Sequence, residues 1–164
     1  MSRYERIKRS GMACIGEPLG RFAQGGEPDC GGHGGQEGLE QVLAEYPDCE
    51  IVLDDTANWD GDEAMELVEN WLAGGTQIDA IICHNDIMAM GALQACQDAG
   101  LEIPIIGIDA TYDALCAVKE GTLSADVYQD VYGQAEEAFN VCMRILNGEE
   151  FEKTNYVPFK LITQ

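Results

Sequence analysis

Cations are scarce in this chain. Nine Lys and Arg stand against 30 Asp and Glu in 164 residues, a formal net charge of −21. No stripe of cations exists to displace counterions from a phosphate backbone, so nucleic acid is excluded as a partner. The only basic cluster, Arg3, Arg6, Lys8 and Arg9, reads as a solvated start to the chain. Serine is nearly missing. Ser2, Ser10 and Ser124 are the only three, and none lies in a G-x-S-x-G elbow. There are two histidines, His33 and His84. The run His84-Asn85-Asp86 suggests acid–base chemistry, but no triad partner stands at a readable spacing. P-loop and G-x-G-x-x-G patterns are both absent. No catalytic residue is assigned, and the chain is not expected to be an enzyme.

Other absences bound the setting. No apolar run of about 18 residues is present to cross a bilayer as a helix. The first eleven residues are charged and lack the apolar core of a signal peptide, so a cytoplasmic location is expected if Met1 is the true N-terminus. Seven cysteines, at 14, 30, 49, 83, 96, 116 and 142, include no C-x-x-C and form no framework spacing. Cys83, Cys96, Cys116 and Cys142 fall in apolar patterns and read as small core residues. Cys30 and His33 have a ligand-like spacing, but no second pair completes a zinc site. Neither a metal nor a cofactor is expected.

What remains is ordinary globular material. Hydrophobic residues make up 46% of the chain, enough for the core of one domain. Residues 16–35 hold eight of the nineteen glycines and read as a loop. A phosphate cradle at Gly31-Gly-His-Gly-Gly35 would need a strand directly before it, and none is there. Upstream, Met12-Ala-Cys-Ile-Gly16 reads as a strand. From Gln36 the pattern sharpens. Leu39, Val42, Leu43 and Tyr46 mark a helix closed by Pro47, and 50–54 is a strand. Trp59 lies in the next turn, and Ala64, Leu67, Val68, Trp71 and Leu72 stripe a second helix.

Residues 78–109 form the clearest unit. Asp79-Ala-Ile-Ile-Cys83 and Pro104-Ile-Ile-Gly-Ile108 are apolar runs without alternation, as strands buried on both faces require. Between them Ala89, Met90, Leu93 and Cys96 recur at helical spacing, with Asn85 or Asp86 as cap and Gly100 as stop. A helix marked by Leu115 and Val118 then stops at Gly121, and Leu123, Ala125 and Val127 alternate in a strand. Ala135, Ala138, Phe139, Cys142, Met143 and Leu146 stripe a long helix, and 156–162 is extended, with Pro158 favouring an edge or a crossing. The sum is an α/β fold: an open, mainly parallel, doubly wound sheet with helices on both faces.

In such sheets ligands bind at the carboxyl ends of the strands. Four side chains emerge there: Trp59, Asn85, Asp109 and Gln129. An indole offers a flat apolar face, Asn and Gln each donate and accept, and an ionised Asp accepts with charge-assisted strength. Vicinal hydroxyls on a sugar ring need that mixture. Competing readings are plain: Asn85 or Asp86 as a cap, Asp109 as the cap of the helix from Thr111, and Trp59 as core filler.

Residues 36–164 resemble the C-terminal lobe of type 1 periplasmic sugar-binding proteins, the ribose-binding kind that feed ABC transporters. The resemblance is carried by Ile78-Asp-Ala-Ile-Ile-Cys-His-Asn-Asp-Ile-Met-Ala-Met-Gly-Ala-Leu93, Ile105-Ile-Gly-Ile-Asp109, Asp113-Ala-Leu-Cys-Ala-Val-Lys-Glu-Gly121 and Ala125-Asp-Val-Tyr-Gln-Asp130, in that order and spacing. It implies that Asn85, Asp109 and Gln129 hydrogen-bond the hydroxyls of a pentose or hexose, and that Trp59 lies against the ring. It also implies an ABC permease as partner and a periplasmic or cell-surface location. Members of the family are about twice this length, and a second, N-terminal lobe closes over the ligand. Here that lobe is absent, and residues 1–35 match the family poorly. Where the family places a ligand-gripping arginine, this chain has His33 or Gly35. The expectation is a truncated sugar-binding lobe whose exposed face supports a homodimer. The alternative is the effector domain of a lactose-repressor-type regulator, which would need a basic helix-turn-helix that 1–35 does not offer.

Overall fold

The computed structural model describes residues 10–16 and 33–164. The basic cluster at 3–9, Cys30 and most of the glycine-rich stretch lie outside the described residues. The elements run β1 (Ser10–Gly16), α1 (His33–Leu43), β2 (Cys49–Thr56), α2 (Gly61–Gly74), β3 (Ala80–Cys83), α3 (Asp86–Asp98), β4 (Ile105–Ile108), α4 (Tyr112–Glu120), β5 (Ala125–Tyr128), α5 (Val131–Asn147) and β6 (Lys160–Ile162). The six strands form one sheet in the order β2-β1-β3-β4-β5-β6. All neighbours are parallel except β5 and β6. β6 is the edge strand that Pro158 announced.

β1 is an interior strand next to the β2 edge, hydrogen-bonded to β2 on one side and β3 on the other, and Ala13, Cys14 and Ile15 are fully buried. From β1 the chain crosses first to β2 and then back over β1 to β3. Right-handed crossovers put α1 on one face and α2, α3 and α4 on the other. α2 packs against α3 at close range because two glycines meet. A Cβ at Gly91 would collide with the carbonyl of Gly61, so only the bare backbone lets the helices approach so closely.

Caps fix where the helices begin. The Asp60 carboxylate accepts from the amides of Asp62 and Glu63, Asn85 from Met88, Thr111 from Ala114, and Asp130 from Gly133. Gly100, at φ 68, closes α3, with the Leu101 amide donating to the Cys96 carbonyl. The core runs through Ile15, Val68, Ile81, Met88, Ala92, Cys96, Ile105, Val118 and Leu123.

Several expected faces turn out differently. In α3 the buried apolar side chains are Met88, Ala89, Ala92, Leu93, Ala95 and Cys96, while Met90 is only half-buried. In α4 they are Ala114, Ala117 and Val118, and Leu115 is exposed. In α1, Leu39 and Leu43 are half-buried but Val42 faces out, and the helix ends at Leu43, short of the exposed Tyr46. Cys142 is exposed and Cys116 half-buried, so neither is the core residue its surroundings suggested.

The largest departure is α5, which buries no residue. Its whole expected stripe, Ala135, Ala138, Phe139, Cys142, Met143 and Leu146, is exposed. The half-buried positions are Gly133, Glu137, Val141 and Arg144, on the side facing residues 152–159. The periodicity is as read. The apolar face, however, points away from the rest of the described chain.

Candidate functional site at the carboxyl edge

Because β1 to β5 are parallel, their carboxyl ends share one edge. The first crossover runs outward from β1 to β2 and the second runs back past β1 to β3, so the strand order reverses between β1 and β3, where such sheets form a crevice. Trp59 follows β2, Asn85 follows β3, Asp109 follows β4 and Gln129 follows β5. Asn85, Asp109 and Gln129 stand on three adjacent strands, and Trp59 lies across β1 from them.

Asp109 and Gln129 meet. The Gln129 Nε2 donates to Asp109 Oδ1 at 2.8 Å. The Asp86 amide, at the positive end of α3, also donates to the Asp109 carboxylate and lowers its pKa. Burial, and then the nearby Asp126, act the other way, and the net shift is upward. Asp109 does not cap α4; Thr111 does. Instead the backbone folds over at Asp109 (φ 127) and Ala110 (φ 59), a conformation that side chains disfavour. Such residues cost on the order of 1–3 kcal/mol each and persist only where their surroundings enforce them.

Asn85 is buried, 4% exposed, and caps α3 with its Oδ1 at 2.8 Å from the Met88 amide. That bond takes one lone pair of the oxygen and orients the carboxamide, leaving its Nδ2 uncommitted. Trp59 is 45% exposed and is not core filler. It sits in a left-handed turn with Asn58 (φ 50 and 64), where the Asn58 Nδ2 donates to Glu63 Oε2 at 2.6 Å.

His84 lies at the same edge, beside the end of β1, with its Nε2 3.6 Å from Cys14 Sγ. Burial lowers its pKa against the opposing pull of Asp54, which favours a neutral imidazole. Cys14 is fully buried, and its thiol is pushed up to about 12, first by burial and then by Asp54. A thiol so held carries almost no thiolate at neutral pH and is a poor nucleophile.

Two carboxyl groups escaped the sequence reading in their present role. Asp86 and Asp126 are 1% and 0% exposed. Asp126 lies between Ala125 and Val127 in β5. Its signal was there in the partner strand, where Gly107 stands opposite it. A glycine across from a charged residue in a neighbouring strand marks room kept for a side chain.

The chain belongs to the periplasmic binding protein domain family, whose model matches residues 35–150. It is 40% identical over 130 residues to the xylitol-binding protein of Mycolicibacterium smegmatis, covering 78% of this chain and 37% of that protein. To the ribose import binding protein of Bacillus subtilis it is 37% identical over 115 residues, covering 70% and 38%. Among solved structures, an ABC transporter solute-binding protein from Bacillus halodurans with bound myo-inositol superposes with a TM-score of 0.81 at 38% identity, over 95% of this chain and 52% of that one. These relatives are solute-binding proteins. The Lac repressor superposes with a TM-score of 0.78 at 18% identity, which shows the shared fold alone. The chain spans less than half the length of the two sequence relatives it matches and about half of the solved solute-binding protein.

Proposed function

We propose that this chain is a sugar- or polyol-binding lobe of a solute-binding protein serving an ABC-type importer, and that it is not an enzyme. The observation that carries this is the Gln129–Asp109 hydrogen bond, set at the carboxyl edge beside Asn85. A carboxylate and two carboxamides on neighbouring strand ends match the alternating donors and acceptors of a polyhydroxylated ring. The half-exposed indole of Trp59 supplies an apolar plate for its C–H face. The ligands named for the relatives, xylitol, ribose and myo-inositol, share vicinal hydroxyls and no charge. Asp109, Asn85 and Gln129 are then hydroxyl contacts, and residues 36–164 are the binding lobe. Its permease partner and its periplasmic or cell-surface location follow from the same reading.

The lobe supplies half a cage. Good small-molecule sites bury most of the ligand, whereas a ring resting on this edge keeps one face in water. Affinity of the lone lobe is therefore weak, near the millimolar level. The outward stripe of α5 is the surface that the second lobe of a two-lobed protein would meet, and in the chain by itself it drives homodimer formation.

Amide chemical shifts recorded while myo-inositol, ribose or xylitol is added test the placement. Perturbation is expected at Trp59, Asn85, Asp109 and Gln129, saturating only toward tens of millimolar, about −3 kcal/mol or weaker. Perturbation confined to other parts of the chain would refute the site.

A further inference from the structure

Beneath the carboxyl edge, Asp86 and Asp126 each commit one oxygen to the turn that follows β4. Asp86 Oδ2 accepts from the Thr111 amide at 2.6 Å, and Asp126 Oδ1 accepts from the Ala110 amide at 3.3 Å. The remaining oxygens, Asp86 Oδ1 and Asp126 Oδ2, are buried without a hydrogen-bond partner. Gly107 makes the slot in which these carboxyls lie. It pairs with Asp126 in the β4–β5 ladder, and a Cβ there would run into Asp86 Oδ1. Two ionised carboxylates in such a slot repel, and each leaves an acceptor unused. One proton between them turns one oxygen into a donor and satisfies both.

We propose that Asp86 and Asp126 share a single proton over Gly107, and that this acid pair is a positioning device that holds the Asp109–Thr111 turn in its left-handed conformation. That Asp109 then contacts ligand rests on the reading given under Proposed function. The groups facing the pair fit. Burial is the main force pushing Asp86 up, to about 6, with the amide and hydroxyl of Thr111 opposing and Asp126 and Asp109 adding to the rise. Asp126 is raised by burial against the amides of Ala110 and Val127 and the Asp86 carboxyl. The other titratable neighbour is Cys83, whose own buried thiol is shifted upward.

The test is a carboxyl carbon NMR titration of the full chain and of Asp126→Asn, without sugar. The native pair should keep one proton up to about pH 6, two units above an ordinary aspartate. The Ala110 and Thr111 amides and the Gln129 side-chain amide should shift with the same midpoint. In Asp126→Asn the carboxamide donates permanently, so the Asp86 midpoint should fall below about 5 while the Gln129 signal stays at its native position. The unfolded chain releases this proton near pH 4, so the urea midpoint of the native protein should fall as pH rises from about 4 to about 6. Asp126→Asn should flatten that slope. Carboxyl midpoints that are both near 4, an Asp86 midpoint unmoved in Asp126→Asn, or amide shifts that ignore the titration would overturn the proposal. None of these readouts uses a ligand, so they stand or fall apart from the sugar-binding reading.

Discussion

Placing charge on the outward face of α5 should convert a self-associating chain into a monomer. Phe139 and Leu146 are 66% and 78% exposed, and Met143 adds a further apolar side chain between them. Covering a large apolar side chain is worth about 1.5–3 kcal/mol, and a two-fold contact counts each residue twice. Burying Phe139 and Leu146 in both copies therefore supplies roughly 6–12 kcal/mol before the entropy of association is met. Sedimentation velocity at tens of micromolar should show a dimer for the native chain. The double variant Phe139→Glu, Leu146→Glu should sediment as a monomer, and because α5 buries nothing within the chain, it should melt where the native chain melts once diluted below its dimer range. A monomeric native chain would show that the stripe needs no cover.

The second large effect falls on Asp109. In a protein made two-lobed by joining this chain to the amino-terminal half of a sugar-binding relative, Asp109→Ala should weaken sugar binding by on the order of 30- to 1,000-fold, about 2–4 kcal/mol. A hydrogen bond to a charged group carries about 1.5–3 kcal/mol, and the loss also strands Gln129 without its partner at 2.8 Å. Asp109→Asn keeps the shape and an acceptor and should lose less. Equal binding by native protein and Asp109→Ala, measured by calorimetry, would remove Asp109 from the site.

The parts that were legible in the sequence are those governed by local rules. β3 and β4 read as continuous apolar runs, although each buries only one face fully, with Ile82, Ile106 and Ile108 half-buried on the other, and Asn85 and Gly100 mark the ends of α3 through cap geometry. The four edge residues follow from strand ends and parallel topology. Less legible was anything set by what lies opposite. The stripe on α5 declares an apolar face, but periodicity does not say which body covers it, and here the described chain does not. Leu115 and Val42 failed in the same way at smaller scale, since a helix at the side of a sheet buries only the edge of its stripe, while Tyr46 falls beyond the end of α1. Asp126 hid for the opposite reason. Its burial depends on Gly107 in another strand and Asp86 at the head of a helix, residues distant in sequence. Asn85 caps α3 through its Oδ1, as one of its two readings expected, and that bond leaves its Nδ2 uncommitted within the chain.

The role proposed for this chain is to hold one jaw of a sugar clamp. Calorimetry with ribose, xylitol and myo-inositol, on the chain alone and joined to the amino-terminal half of a relative, tests it most directly. The joined protein should bind one of these ligands about a thousandfold more tightly than the chain alone, micromolar against millimolar, a difference of about 4 kcal/mol. Micromolar binding by the chain alone, or no gain on joining, would contradict it.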